Sequence, residues 1–392
     1  MRESNVYMVW DGDEDVVVPP PMGTPREDQL TGSTGEQVSE LACRICYDSL
    51  GAKRSRDTKS NLEHIKDVNH LSTVEHYNRS FRLMVSDTIH LEVITALNGR
   101  PGVLFRRVQG PGPGGSYIVT LNPRSVLEWD VWTERCGTGW TGYPFKFADM
   151  IGKLMKVEWA ELCPILCATD LRRTIVDLEA IALKLGSLYP IEPQTAQESW
   201  ISLYMRGSRG FSHELVRHGN FTAISQRSTR YVKESDSPWD YHPLIKAYES
   251  ANREGMYSNA AKNYRIQLDA LVEQCRGVYD MTVEHLRPWL LKKIDKDDPY
   301  RKHTARKQAR GAARGFLGNA LRTEVIFSAS VSQWQHMLRM RAADAADAEI
   351  RVIFAEALVI LQKSQYGSYF ADFTLAPSSD GIRCSLAGGG AK

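Results

Sequence analysis

The stretch Arg217–Tyr231, RHGNFTAISQRSTRY, holds three arginines, one histidine, Asn220, Thr222, Ser225, Gln226, Ser228 and Thr229 within fifteen residues, directly after His213 and Glu214. So many donors among so few apolar side chains suit an anionic ligand that also presents hydrogen-bonding edges. Guanidinium forks take phosphate bidentately, and small hydroxyl residues let backbone N–H groups come close. On composition alone the stretch reads either as a site for a phosphorylated ligand or as a polar surface loop.

Around it lies an ordinary globular chain. It has 392 residues, 42% of them apolar and 24% charged, with a formal charge of +2. That is enough to bury a core, and it argues against a bulk polyanion binder while leaving room for local basic patches. No apolar run reaches ~18 residues, so no transmembrane helix is expected. The acidic N-terminus, MRESNVYMVWDGDED, does not read as a secretory signal. Seven cysteines, an odd number, read as reduced thiols, and the expected location is cytoplasmic. No internal repeat of 20–50 residues is visible.

Residues 1–40 read as a flexible N-terminal arm, because 11–40 are rich in Pro, Gly, Asp, Glu and Thr and offer little apolar surface; 373–392 read as a flexible tail. Leu268, Leu271, Val272, Cys275, Tyr279, Val283 and Leu286 form a helical stripe whose continuation Pro288 is expected to limit. Ile350, Ile353, Phe354, Ala357, Leu358 and Leu361 form a second, closed near Gly367. Ser80–Val85 and Ser116–Leu121 are strand candidates. Helices and strands without regular βαβ alternation predict an α+β fold.

Three other signals carry less. Gly110–Gly115 (GPGPGG) matches a dinucleotide-loop spacing, but Pro111 and Pro113 lack the N–H groups such a loop needs and a strand follows, so it reads as a turn. Cys43, Cys46, Cys163 and Cys167 could supply four thiolates to zinc, yet their apolar context reads as small buried residues, and no metal is expected. The basic run Arg301–Arg314 is open to three readings: a solvated helix face, a nucleic-acid groove, or a phosphate-binding arginine at its end.

The opening stretch resembles the signature of the flavin-dependent thymidylate synthases, R-H-R, then seven residues, then Ser with Arg-Tyr close behind. Here it runs Arg217-His218-Gly219, eight residues, Ser228-Thr229-Arg230-Tyr231. A second block of that family, H-x-[ST]-x-x-E-H, is similar to His70-Leu71-Ser72-Thr73-Val74-Glu75-His76, which follows Ala42–Tyr47 (ACRICY). Its closing block resembles Ala313-Arg314, then Leu338-Arg339-Met340-Arg341 with Asp344 and Glu349-Ile350. The resemblance divides the chain into a catalytic domain in two parts, 41–83 and 199–372, separated by an insertion at 84–198 with no counterpart.

What the resemblance implies is an α+β fold, a helical bundle over an antiparallel sheet, in a homotetramer with shared active sites. The implied reaction carries a one-carbon unit from 5,10-methylenetetrahydrofolate to C5 of dUMP, giving dTMP, with FAD reduced by NADPH as hydride source. No cysteine nucleophile is required. By similarity, Glu214, Arg217, Gln226, Arg227, Ser228, Thr229 and Arg230 face the nucleotide, and Arg314 of a neighbouring subunit holds its phosphate. Arg341 faces the uracil edge as the catalytic group, where a guanidinium stabilises an N3-deprotonated ring. Ser72, Arg217, His218, Gly219, Gln226, Ser330 and His336 fall at flavin-side positions. Neither membrane nor nucleic acid is an expected partner.

Departures concentrate on the flavin side. Gly219 replaces an arginine, the loop before Ser228 is one residue longer, and Ser330-Val331-Ser332-Gln333 stands where the family has N-x-R-S. Asn122-Pro123-Arg124-Ser125-Val126-Leu127 resembles that last stretch but lies far upstream, and reads as chance similarity. Two alternatives follow: hydroxymethylation or methylation of another pyrimidine nucleotide such as dCMP, or a non-catalytic binder of nucleotide or nucleic acid.

Overall fold

The computed structural model describes residues 4–12, 15–22, 30–49, 56–86, 90–98, 100–108, 114–129, 144–167, 187–219, 222–252, 258–382 and 384–387. Its strands are β1 (Val6–Trp10), β2 (Arg79–Ser86), β3 (Leu104–Val108), β4 (Gly114–Leu121), β5 (Leu188–Ile191), β6 (Trp200–Ser208), β7 (Thr222–Gln226), β8 (Arg322–Ser330), β9 (Leu375–Pro377) and β10 (Cys384–Leu386). Its helices are α1 (Thr34–Tyr47), α2 (Thr58–Asp67), α3 (His90–Leu97), α4 (Pro123–Leu127), α5 (Pro144–Leu162), α6 (Arg209–Leu215), α7 (Pro243–Ala251), α8 (Ser258–Lys293), α9 (Arg301–Ala313), α10 (Val331–Arg341) and α11 (Ala348–Leu361). The α+β expectation holds, with antiparallel pairing in the strand ladders.

The two strand candidates lie inside β2 and β4 and pair with each other, Ser80 opposite Thr120 with their hydroxyl oxygens 2.7 Å apart. They are the inner strands of a sheet ordered β5-β2-β4-β3. A second sheet runs β1-β6-β8-β7. Every residue of its β6 is buried, because successive side chains serve opposite cores. Trp200 and Tyr204 join the core shared with α1, α5 and the first sheet, while Ile201, Leu203 and Met205 join the core under α10 and α11. All six residues of the second predicted stripe lie in that latter core.

Each sheet is built by the same succession: strand, helix, strand, strand, helix. In the first it is β2-α3-β3-β4-α4, and in the second β6-α6-β7-β8-α10. The sequence carries no visible repeat because the connections differ so much. Residues 109–113 join β3 to β4, whereas 227–321, with α7, α8 and α9, separate β7 from β8.

Several expectations are corrected. The arm at 1–40 contains β1, which pairs with β6, and the start of α1, whose Ser33–Glu36 capping box fixes its first turn. The tail at 373–392 contains the β9–β10 pair. The described part of 84–198 supplies three of the four strands of one sheet, β3, β4 and β5 beside β2, and with α3 and α5 much of its core. Pro288 does not end its helix: α8 continues through it to Lys293, at the loss of one backbone bond. Residues 110–113 of the glycine–proline motif, like Asn220, lie outside the described residues; Gly114 and Gly115 open β4.

Candidate functional site

The short helix α6 organises the site, and its start is fixed from outside. Ser208 caps it by accepting a bond from the Phe211 N–H at 3.1 Å. Glu349 of α11 in turn accepts bonds from the Ser208 N–H at 2.7 Å and hydroxyl at 2.5 Å. At the other end of α6, Arg341 in the last turn of α10 donates to the Glu214 carboxylate at 2.6 Å and to His218 Nε2 at 2.8 Å. Burial pushes His218 down to about 4, aided by the charges of Arg341 and His336. A neutral imidazole is what allows Nε2 to accept from a guanidinium. His336 closes the group, its ring centroid 6.2 Å from that of His218.

Mid-helix, the Gln226 amide donates to the hydroxyls of Ser212 at 2.8 Å and Thr323 at 3.0 Å, which holds β7 against α6. At the start of α6, burial holds the Arg209 guanidinium below its usual value and the charge of Arg314 lowers it further. The carboxylate of Glu234 opposes that shift, so Arg209 stands between an anion and a second cation. Arg209 and Glu214 lie ~7.5 Å apart along the helix axis. A basic end and a Glu–Arg–His end are thus set a short distance apart on one element.

The arginines of the opening stretch have different fates. Arg227 sits among the carboxylates of Glu234 (3.6 Å), Glu324 (3.7 Å) and Asp48 (3.8 Å), with its Nη2 donating to Ser237 at 3.1 Å. These carboxylates surround the guanidinium, while its buried Nε has no hydrogen-bond partner among the described residues. By contrast, the side chains of Arg217, Arg230 and Arg314 make no hydrogen bond or ion pair among the described residues. Thr229 is buried, and the Ser228 hydroxyl accepts from the Arg230 N–H at 3.3 Å.

The basic helix α9 resolves into two faces. Ala305, Ala309 and Ala313 are buried, while His303 stacks on Tyr231 at 5.9 Å and Lys307 lies 4.9 Å over the same ring. Arg310 donates to the Tyr231 carbonyl. Positive charge therefore gathers beside Arg230. Tyr47 packs on Tyr231 from the opposite block, with centroids 4.7 Å apart, and the Cys46 carbonyl accepts from the Ser228 N–H.

On the flavin side the expectations scatter. Ser330 caps α10, accepting from the Gln333 N–H at 3.2 Å. Ser72 lies half-buried on a 3-10 turn, Leu71–Val74, packed on β7. Gly219 is exposed, and a side chain there would meet only the Val216 carbonyl, at 3.8 Å. It borders a cavity of about 720 Å³ lined by residues of both sheets, among them Trp200, Thr222, Asn78, Phe105, Arg100 and Arg124. These residues of 84–198 had no assigned role. The only sequence signal for them was the upstream N-x-R-S likeness.

His76 is the other residue whose role the motif did not reveal. Wholly buried, it bonds the hydroxyls of Ser328 at 2.7 Å and Ser225 at 2.9 Å, and burial drives it down to about 3. It ties the second block to β7 and β8 rather than serving a ligand. Cys43, Cys46, Cys163 and Cys167 are buried too. Desolvation pushes Cys43 and Cys167 up to about 12 and Cys46 up to about 11, which disfavours metal-binding thiolates. Among the described residues there is no cluster of His, Cys, Asp and Glu suited to a metal, and no helix is long and apolar enough to cross a membrane.

Residues 193–364 match the family described as "Thymidylate synthase complementing protein". The flavin-dependent thymidylate synthase of Mycobacterium sp. (strain KMS) is 35% identical over 184 residues, which are 46% of this chain and 65% of that protein. That of Mycobacterium tuberculosis (strain ATCC 25177 / H37Ra) is 34% identical over 182 residues, 46% and 64% respectively. The chain thus spans somewhat under two thirds of the length of the curated relatives it matches. A solved thymidylate synthase X of Helicobacter pylori with FAD and dUMP is 20% identical, covers 45% of this chain and 74% of that one, and has a TM-score of 0.29.

Proposed function

We propose, from the match of residues 193–364 to the thymidylate synthase complementing protein family, that this chain converts dUMP to dTMP, using 5,10-methylenetetrahydrofolate and NADPH with FAD. The observation that carries this reading is the Glu214–Arg341–His218 cluster at one end of α6, with Arg209 and Arg314 at the other.

The phosphate of dUMP would lie at the basic end, held by Arg230, Arg209 and Arg314, the last standing beside Arg209 of its own chain rather than reaching in from a neighbouring subunit as the resemblance implies; charge-assisted bonds to phosphate are the strong ones. The pyrimidine would then reach Arg341, whose guanidinium is fixed in direction by Glu214 and His218. A cation aimed at the N3–O4 edge stabilises negative charge on the ring and raises electron density at C5. His218, uncharged, orients Arg341 without competing for the substrate's charge.

The residues present fit FAD. The cavity beside Gly219 is within the ~300–1,000 Å³ range of small-molecule sites, and it mixes Trp200 and Phe105 with Asn78, Asn122 and Thr222. Gly219, the residue after Arg217 and His218, lines it together with Thr222. When bound, the reduced flavin supplies the hydride that takes the transferred methylene to a methyl group. A homotetramer with shared sites accompanies this reading. Ile266, Leu271, Met281 and Trp289 stand exposed along α8, apolar area that another copy would cover.

The test is the full chain incubated with dUMP, methylenetetrahydrofolate, NADPH and FAD, with products read by mass spectrometry. dTMP is the expected product. A preparation that neither takes up flavin nor forms dTMP sinks the reading, and a hydroxymethyl product or turnover of dCMP redirects it.

A further inference from the structure

The two sheets correspond strand for strand. Ser86 ends β2 opposite Gly114 as Ser208 ends β6 opposite Arg322. Arg79 faces Leu121 as Ile201 faces Ala329. The next register position, Asn122 just past β4 and Ser330 at the end of β8, caps the following helix through its side-chain oxygen. The outer strands agree, because Leu104 faces Thr120 as Ala223 faces Ser328. This register pairs Asn78 with Trp200, Val103 with Thr222, Arg100 with Gly219, and Arg124 with Ser332.

Contacts between the halves are reciprocal, as across a two-fold interface. His76, three residues before β2, bonds Ser225 of β7. Its counterpart Glu198 accepts a bond from Arg106 of β3, the counterpart of Ser225. The cavity lies on this pseudo-axis, for both members of three corresponding pairs line it: Asn78 with Trp200, Arg100 with Gly219, and Val103 with Thr222. Counting on from the strand register, Gly219 and Ser332, which stand where the resembled family has arginines, correspond to Arg100 and Arg124 of the first half.

We propose that the chain is a fused pair of equivalent units, and that the first unit supplies Arg124, with Arg100 behind it, as the cations for a flavin dinucleotide bound in the cavity between them. This rests on the flavin reading above and names the residues for it. Arg124 Nε donates to Glu128 at 3.0 Å and Nη1 donates to Glu75, while Nη2 makes no bond among the described residues. The guanidinium is therefore anchored with donors to spare at the cavity wall. Arg100 is buried, bonded to the carbonyls of Ala96 at 2.6 Å and Trp129 at 3.3 Å, and stacked 4.0 Å over the Trp129 ring. Glu75 and Glu128 are acceptors for ring N–H groups, so the lining suits a ligand with both anionic oxygens and donor edges. Gly102, at φ +69, has room for no side chain, because a Cβ would come within 2.5 Å of the Ser125 hydroxyl. That close approach sets the turn carrying Arg100 beside the helix carrying Arg124.

The experiment is a titration of the full chain with FAD, followed by flavin fluorescence, alongside dUMP binding measured by calorimetry. Arg124→Gln is expected to weaken FAD roughly 10- to 100-fold, the effect of one charge-assisted contact, and to leave dUMP affinity within twofold. Arg124→Lys should lose less. Adding Gly219→Arg to the Gln variant should recover much of the loss, since it puts a cation on the opposite wall, a recovery no merely structural role of Arg124 provides. Unchanged FAD affinity in Arg124→Gln overturns the proposal and leaves the flavin reading intact. A wild-type chain that binds no FAD overturns both.

Discussion

The two sheets share an order of elements and a register, yet they differ in what they hold. The β1-β6-β8-β7 sheet carries α6 with Glu214, Ser212 and Arg209, and sends α10 back to it with Arg341. The β5-β2-β4-β3 sheet carries an α3 with no corresponding cluster among its described residues, and its α4 is a single short turn ending near Trp129. The difference lies in side chains and connections, not in backbone plan. Residues 227–321 give the second sheet its basic helix over Tyr231, where the first has only the link at 109–113. Under the function proposed above, one frame would serve a reacting half and a supporting half, with Arg100 and Arg124 in the first where the second has Gly219 and Ser332.

The largest expected effect lies in the reacting half. Arg341→Ala should lower dTMP formation by ~10²- to 10³-fold, the usual loss when one donor to developing charge is removed. Arg341→Lys should restore little, since an ammonium cannot hold Glu214 and His218 in the same fork. Turnover within threefold of wild type in the Ala variant would break the division between the halves.

Next comes the tie between them. His76→Ala leaves the buried hydroxyls of Ser225, Ser328 and Ser202 short of a partner and opens a void, a loss of ~3 kcal/mol in chemical denaturation. The acid response follows from the same residue. Its folded value, about 3, lies below its unfolded value of 6.5, so the unfolded chain binds the extra proton between them. This part of the stability is complete above pH ~6.5 and falls as pH drops, by at most ~1.4 kcal/mol per pH unit. The His76→Ala chain should lack that part of the slope; an identical slope assigns the acid sensitivity elsewhere.

Much of this was legible before any fold was known. The α+β class, the strands Ser80–Val85 and Ser116–Leu121, and the buried stripe of α11 follow from local patterning, which acts over a few residues. The gathering of Glu214, His218, His336 and Arg341 was reached through motif likeness, because side chains over a hundred residues apart meet only through the β6–β8 pairing. What stayed hidden was the equivalence of the halves. Their correspondence is one of register, which survives replacement of nearly every side chain, and 227–321 interrupts any fixed period. For the same reason the sheet built by 84–198 was not foreseen, nor were the carboxylates around Arg227.

Two arginines of the reacting half sharpen the comparison at a smaller scale. Arg314→Gln should raise KM for dUMP by roughly tenfold or more with little change in kcat, as expected when a phosphate contact is lost equally from ground and transition states. Arg227→Gln should act differently, lowering the melting temperature while sparing KM, because it strands the buried Glu234 carboxylate. Equal KM effects from both would show that the carboxylates around Arg227 release it to substrate.

The smallest effect falls on the counterpart of His76. Glu198 is buried, but its partner Arg106 is 35% exposed, so solvent screens the pair and Arg106 can return to water when it is broken. Glu198 also accepts from the Gln194 N–H at 2.8 Å, a bond near the surface that water can replace. Glu198→Ala should therefore cost about 1 kcal/mol, well under His76→Ala, although the two positions are equivalent in register. Denaturant midpoints of the two single variants and the double decide it. The contacts share no residue, so their losses should add within ~0.5 kcal/mol. A shortfall well beyond that would mean the two ties open together, and the halves would then move as one body about the cavity.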